Sequence, residues 1–281
     1  MILRRLLVAL LVAVLALAGC GGDDDGGDDE ATSDSSETTD APPTTRAEAS
    51  DIPPDLSVLV TNDDGVGAPG IDAMVEGLRA TPGIEVTVVA PAGERSGTGG
   101  RTTEGPVATS DVTTVSGYEA VAVEGFPADT VRVALDELGV EPDLVISGIN
   151  SVQNLGLLTD VSGTVGAAKA AAAAGVPALA VSAGLGAPDY PTAAAQALAW
   201  VEDHRAELAA GEADVIVANM NVPTCPDGSV REVVEVPVAT DSGDELLPDA
   251  EVECASSLTD PADDVDAFNN GFVPVSELEA A

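Results

Sequence analysis

The sequence predicts an α/β fold in which helices wrap a Rossmann-like, mostly parallel sheet. Hydrophobic residues make up 45% of the chain and aromatic residues only 2%, so the core must be built from Val, Ala, Leu and Ile. Such a core is typical of parallel sheets, whose strands are buried on both faces. Short apolar runs predict strands at Val58–Val60, Glu85–Val89, Asp143–Ser147, Ala178–Ser182 and Asp214–Ala218. Helix-like stretches alternate with them near Ile71–Ala80, Ala128–Leu138, Thr164–Ala174 and Thr192–Ala209.

Two segments depart from this alternation. Residues Val107–Val123 are rich in Thr and break at Ser116-Gly117, which predicts a β excursion. The end of the chain, from about residue 222 to 281, predicts a small C-terminal extension of β and irregular structure, with short strands near Val230–Val238 and after Glu251. We expect this extension to form a small extra lobe or an oligomerisation arm.

The N-terminal segment, residues 1–20, predicts a lipoprotein signal peptide. Arg4 and Arg5 precede an apolar run of 13 residues, Leu6–Ala18, which is too short to span a membrane but fits a signal-peptide core. The run ends in Leu17-Ala-Gly-Cys20, which resembles a bacterial lipobox, so Cys20 is the predicted lipidation site. The alternative is an ordinary secretory signal with an incidental cysteine. The protein is therefore expected to be exported and lipid-anchored to the cell envelope, with its domain outside the cytoplasm.

Residues 21–54 predict a disordered acidic tether, and residues 55–281 the folded domain. The tether contains Asp, Glu, Ser, Thr and Pro with hardly a large apolar residue, so burial cannot offset the entropy of ordering it. The whole chain has a net charge of −39, which argues against nucleic-acid polymers and anionic membrane surfaces as partners. In an oxidising compartment, Cys225 and Cys254 are a candidate disulfide.

Polar side chains follow three of the predicted strands. Asp63 and Asp64 follow the first, Ser96 lies in the loop after the second, and Asn150 follows the third. Because parallel strands end at the same edge of a sheet, we expect these residues to converge there. The resulting oxygen-only set selects Mg²⁺ or Mn²⁺, with Ca²⁺ as a further candidate, over zinc.

The segment Val161–Gly166 precedes an alanine-rich helix and predicts an anion site suited to phosphate, built from backbone N–H groups and two hydroxyls. The alternative is a capping serine beside a close-packed glycine. Arg95 and Arg101 flank the Ser96 loop, where they could meet a substrate phosphate or simply remain solvated.

Two conspicuous patterns give little support to a dinucleotide site or a catalytic triad. Gly65–Gly70 matches the dinucleotide pattern GxGxxG, but Asp63 and Asp64 at its mouth would repel a pyrophosphate. The second strand also ends in Ala90-Pro91, without the acidic residue that would hold a ribose. His204 lies in a predicted helix rich in Glu and Ala, so a Ser–His–Asp triad has little support.

Several motifs together resemble the SurE-type survival proteins, a family of metal-dependent 5′/3′-nucleotidases, and run in order from about Val58 to the end of the chain. The similar segments are Val60–Gly65, Ala90–Gly97, Gly125–Asp129, Ser147–Ser151, Ser162–Gly166, Ala218–Pro223 and Gly271–Ser276. The chain departs from the family at Val152, where glycine is common, and at Phe126, where a small residue is expected.

The resemblance implies one divalent cation held by the positions that match Asp63, Asp64, Ser96 and Asn150. It also implies a phosphate or substrate site, for which the matching residues are Asn62, Gly97, Asn154, Ser162, Gly163 and Thr164. By analogy, the C-terminal arm would support a homodimer or homotetramer.

The residues predict a metal-dependent phosphomonoesterase that uses a metal-activated water, with Asp63 and Asp64 as the catalytic residues. The resemblance implies that its substrates are nucleoside 5′- or 3′-monophosphates. The main alternative is a non-catalytic surface lipoprotein that binds a phosphorylated ligand. A structural envelope protein would leave the polar strand ends unexplained.

Overall fold

Nine strands form one mixed sheet in the part of the chain that the structure, a computed structural model, describes: residues 56–226, 229–240 and 252–280. The strands are β1 (Leu56–Thr61), β2 (Ile84–Pro91), β3 (Thr109–Thr113), β4 (Glu119–Val123), β5 (Leu144–Asn150), β6 (Ala178–Ala183), β7 (Val217–Val222), β8 (Val233–Glu235) and β9 (Val273–Leu278). Their order across the sheet is β3-β4-β2-β1-β5-β6-β7-β9-β8. The six strands from β4 to β7 in this order run parallel.

Helices cover both faces of this sheet. They are α1 (Pro69–Ala80), α2 (Pro127–Arg132), α3 (Gly163–Ala173), α4 (Tyr190–Ala210) and α5 (Asp264–Asn269). A π-helical turn, Val133–Glu137, continues α2, and a 3₁₀ turn, Gly156–Asp160, precedes α3. The described residues all belong to one unit of the chain, Ser50–Ala281.

The apolar side chains form one cluster on each side of the sheet. On one side, α1 and α4 pack with residues such as Met74 and Val201 against the strands. On the other side, Val131 of α2 and the alanines of α3 pack against Leu59 and Val145. Alternate residues of each central strand thus point into opposite apolar layers. This arrangement confirms the predicted α/β fold with a mostly parallel sheet.

The first four predicted strands and all four predicted helices lie where the sequence placed them, within a few residues at each end. The fifth strand begins at Val217 rather than Asp214, because Ile216 N donates to Asp214 O (3.0 Å) and closes a turn before the strand. The predicted β excursion comprises β3 and β4. β4 pairs parallel with β2, and β3 lies antiparallel beside β4.

The C-terminal extension continues the main sheet. β9 pairs antiparallel with β7, joining Asn219 to Ser276 in register, and β8 pairs parallel with β9. Within the described residues, no helix is long and apolar enough to cross a membrane. The predicted signal peptide, its Cys20 lipidation site and the tether lie outside the described residues.

Candidate functional site

The loops that follow β1, β2 and β5 meet at one edge of the sheet. Arg95 N, in the loop after β2, donates to Asp63 O at 2.7 Å. Ser151 N, directly after β5, donates to Asp64 Oδ2 at 3.2 Å. The strand order places β1 between β2 and β5, so the loop that carries both carboxylates is held from both sides.

Asp63 is a buried carboxylate held by the start of α3. Only 2% of its surface is exposed, and Thr164 Oγ1 donates to its Oδ1 at 2.6 Å. A Cβ on Gly163 would lie 2.8 Å from Asp63 Oδ2, so only glycine lets the helix approach this closely. Burial raises the pKa of Asp63 from 3.8 to about 6; the Thr164 hydrogen bond opposes this rise and the charge of Asp64 adds to it.

Asp64 is more open than its neighbour. It is partly exposed, and burial together with the nearby Glu94 carboxylate raises its pKa, against the hydrogen bond from Ser151. Neither Asp63 nor Asp64 forms an ion pair with another described residue. Arg95, whose backbone N–H contacts Asp63 O, donates with its guanidinium to Gly125 O and Glu94 O. The part of the chain that the structure describes therefore pairs no cation with the two adjacent carboxylates.

This donor set fits a hard divalent cation. Asn150 uses its amide nitrogen to donate to Val152 O at 2.5 Å, which leaves its amide oxygen available to a ligand. Ser96 lies one residue after Arg95, and both its backbone N–H (2.6 Å to Oε1) and its hydroxyl donate to the Glu94 carboxylate, so its hydroxyl oxygen keeps lone pairs for a cation. Among the described residues, no three His, Cys, Asp or Glu side chains form a metal cluster. Two carboxylates, a hydroxyl and an amide oxygen are instead the ligand chemistry of Mg²⁺, Mn²⁺ or Ca²⁺.

The start of α3 has a capping role and a role at Asp63. Ser162 is the N-cap residue, and its Oγ accepts from Val165 N at 3.1 Å. The Thr164 hydroxyl is engaged by Asp63, so the positive end of the helix faces that carboxylate. The alternative interpretation of this segment expected a capping serine and a close-packed glycine. Both are present, as the cap by Ser162 and the close approach of Gly163 to Asp63. The phosphate contacts of Ser162, Gly163 and Thr164 stay predictions.

Two of the predicted substrate residues have structural partners. Asn62 closes the turn after β1, since its amide both donates to Gly65 O (2.9 Å) and accepts from Gly65 N (3.2 Å). Asn154 is buried, and its Nδ2 donates to Ser182 Oγ at 2.8 Å. Their substrate contacts stay predictions, as does that of Gly97, whose φ of 69° lies in the left-handed region.

Sequence reasoning missed the side chains that hold Asn154. Asn221 Oδ1 accepts from Asn154 N at 2.7 Å, and the Nδ2 atoms of Asn219 and Asn221 donate to Asn154 O at 2.9 and 3.2 Å. The sequence does contain a signal for this contact. Two asparagines alternate with apolar residues in β7, a strand that is buried throughout, and buried amides need hydrogen-bond partners.

The remaining candidates lie as follows. The guanidinium of Arg101 covers the ring of Phe126 at 4.7 Å. His204 stacks on Trp200 in α4, with ring centroids 4.1 Å apart, and its Nδ1 is hydrogen-bonded to Trp200 O. A disulfide joins Cys225 to Cys254, whose Cα atoms are 5.9 Å apart.

Comparison with known proteins identifies relatives over most of the folded region. The family model described as Survival protein SurE matches residues 58–244. A 5′-nucleotidase SurE of Symbiobacterium thermophilum is 36% identical over 246 residues, which cover 79% of this chain and 91% of that protein. The 5′-nucleotidase SurE of Moorella thermoacetica is 46% identical over 182 residues, which cover 63% and 67% of the two chains.

A higher identity is found over a shorter segment. The 5′-nucleotidase SurE of Halobacterium salinarum is 53% identical over 126 residues, 44% of this chain, so the match spans about half (46%) of that relative's length. Among solved structures, the SurE protein from Aquifex aeolicus has a TM-score of 0.65 and 25% sequence identity, and the match covers 80% of this chain and 94% of that one.

Proposed function

Because the chain belongs to the SurE family, we propose that it is a 5′/3′-nucleotidase, a phosphoric monoester hydrolase that depends on a divalent metal ion. Its substrates would be nucleoside 5′- or 3′-monophosphates, which it hydrolyses to nucleoside and phosphate. The observation that carries this proposal is the pair Asp63 and Asp64. These adjacent carboxylates lie at the edge of the sheet, both have raised pKa values, and neither forms an ion pair with a cation among residues 56–226, 229–240 and 252–280.

Asp63, Asp64, Ser96 and Asn150 would hold one divalent cation, Mg²⁺ or Mn²⁺, with Ca²⁺ as a further candidate. When bound, such an ion polarises a phosphoryl oxygen and lowers the pKa of a nearby water molecule. Its charge would also offset the repulsion between the two carboxylates.

The two carboxylates have different tasks in this proposal. Asp63 is buried and fixed by Thr164, so it serves as a rigid ligand. Asp64 is partly exposed, so its carboxylate is open to solvent and can receive a proton from the attacking water. The geometry therefore favours Asp64 as the general base.

The substrate would bind along the same edge. The N-terminus of α3 and the loops that carry Asn62, Gly97 and Asn154 surround this edge, and a helix N-terminus attracts phosphate oxygens. We also propose that the protein is exported and anchored by a lipid on Cys20, and that it assembles as a homodimer or homotetramer. Substituting Cys20→Ser would then release it from the membrane fraction.

The test is phosphate release by Asp64→Asn, compared with the wild type and with Asp203→Asn. Asp203 is an exposed acid on α4, so its substitution makes the same charge change away from the site. We expect Asp64→Asn to lose most of the activity, since a positioned general base contributes about 100- to 10,000-fold, and Asp203→Asn to keep it. Full activity in Asp64→Asn would refute its role.

A further inference from the structure

The loop between β5 and α3, residues 151–162, links the hydrogen-bond donors of both carboxylates. Its first residue, Ser151, donates its N–H to Asp64. Thr164, two residues beyond its end, donates its hydroxyl to Asp63. A displacement of this loop would therefore disturb both carboxylates at once.

The middle of the loop is held by a carboxylate from the far end of the chain. Gly156 N donates to Asp264 Oδ2 at 2.9 Å, across 108 positions of sequence. The other oxygen, Oδ1, accepts from Ala239 N at 2.8 Å. Asp264 has no exposed surface, and its two oxygens thus connect two separate segments in the interior.

Asp264 is not needed to cap its own helix. The N-cap of α5 is Asp263, whose Oδ1 accepts from Asp266 N at 2.9 Å. Burial raises the pKa of Asp264, against the hydrogen bonds from Gly156 and Ala239. The N–H groups of Gly156 and Ala239 offset part of the cost of burying this carboxylate, and in return Asp264 holds the two segments that carry them.

We propose that Asp264 is a positioning residue for the reaction: it fixes Gly156 so that the 151–162 loop presents Asn154, and both hydrogen bonds to the carboxylates, in the reactive arrangement. This inference rests on the proposed function. The loop would be held on one side by the amides of Asn219 and Asn221, which bind Asn154, and on the other by Asp264.

The matched variants are Asp264→Asn and Asp263→Asn. They remove the same charge from neighbouring residues of α5, but asparagine caps a helix as well as aspartate does. At position 264 an amide can accept from only one of the two N–H groups, and its own NH₂ would face the other. We expect Asp264→Asn to lower kcat/KM by about 100-fold, as a misplacement of about 1 Å can, and Asp263→Asn to leave it unchanged.

Hydrogen exchange provides a readout that does not depend on activity. In Asp264→Asn, amides of the 151–162 loop should exchange faster than in Asp263→Asn, while amides in β1 and β5 keep their protection. In the wild type, the Gly156 amide should be protected. An unprotected Gly156 amide in the folded wild type would overturn the inference even if Asp264→Asn does not fold.

The outcomes separate this inference from the proposed function. A wild type without metal-dependent phosphatase activity would refute the proposed function, and loop exchange would still test the Asp264 anchor. An active wild type whose Asp264→Asn variant keeps full activity and unchanged loop exchange would overturn the positioning role alone.

Discussion

Replacing Asp63 with asparagine should stabilise the metal-free protein at neutral pH. The pKa of Asp63 is raised from 3.8 to about 6 by its burial, so the folded state binds its proton more tightly than the unfolded state. Stability from this group is then greatest at low pH and is lost as the pH rises through about 6. At about 1.36 kcal/mol per pKa unit, the charged carboxylate costs the fold about 3 kcal/mol at pH 7 and about half of that at pH 5.

The assay is urea unfolding in EDTA at these two pH values, for the wild type and Asp63→Asn. The variant should gain as much as about 3 kcal/mol at pH 7 and less at pH 5, because asparagine carries no charge to bury. Asp72→Asn is the control of opposite sign. Although burial acts to raise the pKa of Asp72, hydrogen bonds from Ser116 and Thr114 lower it overall, so its loss should destabilise the protein.

A divalent cation should make the wild type more stable than Asp63→Asn, the reverse of their order in EDTA. At a concentration 1,000 times its dissociation constant, added Mg²⁺ or Mn²⁺ would stabilise the wild type by about 4.1 kcal/mol. This exceeds the advantage of about 3 kcal/mol that Asp63→Asn has in EDTA at pH 7, and the ion would stabilise the variant by much less. If Asp63→Asn were less stable than the wild type in EDTA by a margin independent of pH, the electrostatic account of this site would be refuted.

Further predictions concern close packing and the disulfide. Gly163→Ala should abolish most activity in the phosphate-release assay, because its Cβ would lie 2.8 Å from Asp63 Cβ. Gly100→Ala should behave as the wild type, since no atom lies within 4 Å of its Cβ. Equal activities of the two variants would contradict the packing argument. Reducing the Cys225–Cys254 disulfide, which closes a 29-residue separation, should lower the free energy of unfolding by about 3 to 4 kcal/mol, and urea midpoints unchanged by reductant would contradict this.

The sequence was sufficient to predict the central sheet and the meeting of its loops. Val58–Val60 and the other β-branched runs carry a local signal, and alternation with helices implies parallel strands. Parallel strands in turn bring Asp63 and the loop of Ser96 to one edge, whatever their separation in sequence. The convergence of these two loops depends only on the direction and order of the strands. The hydrogen bond from Arg95 N to Asp63 O joins the two loops in the way that the sequence predicted.

Contacts that depend on long-range packing could not be predicted. β9 pairs with β7 across 55 to 61 positions of sequence, and nothing local to Val273–Leu278 specifies that partner. Asp264 stands in an acidic run whose members look alike in sequence, although only Asp264 among Asp263, Asp264 and Asp266 is fully buried. The Thr164 hydroxyl was expected at a phosphate, and its contact with Asp63 depends on the approach of α3 to β1.

Phosphate release from a panel of nucleoside 5′- and 3′-monophosphates is the decisive assay for a metal-dependent nucleotidase. The purified protein would be assayed after EDTA treatment and again after addition of Mg²⁺ or Mn²⁺. The account predicts that release disappears with the chelator and returns with the metal. No release with any metal, while a nucleotide still raises the melting temperature, would contradict it and indicate a protein that binds phosphorylated ligands without hydrolysing them.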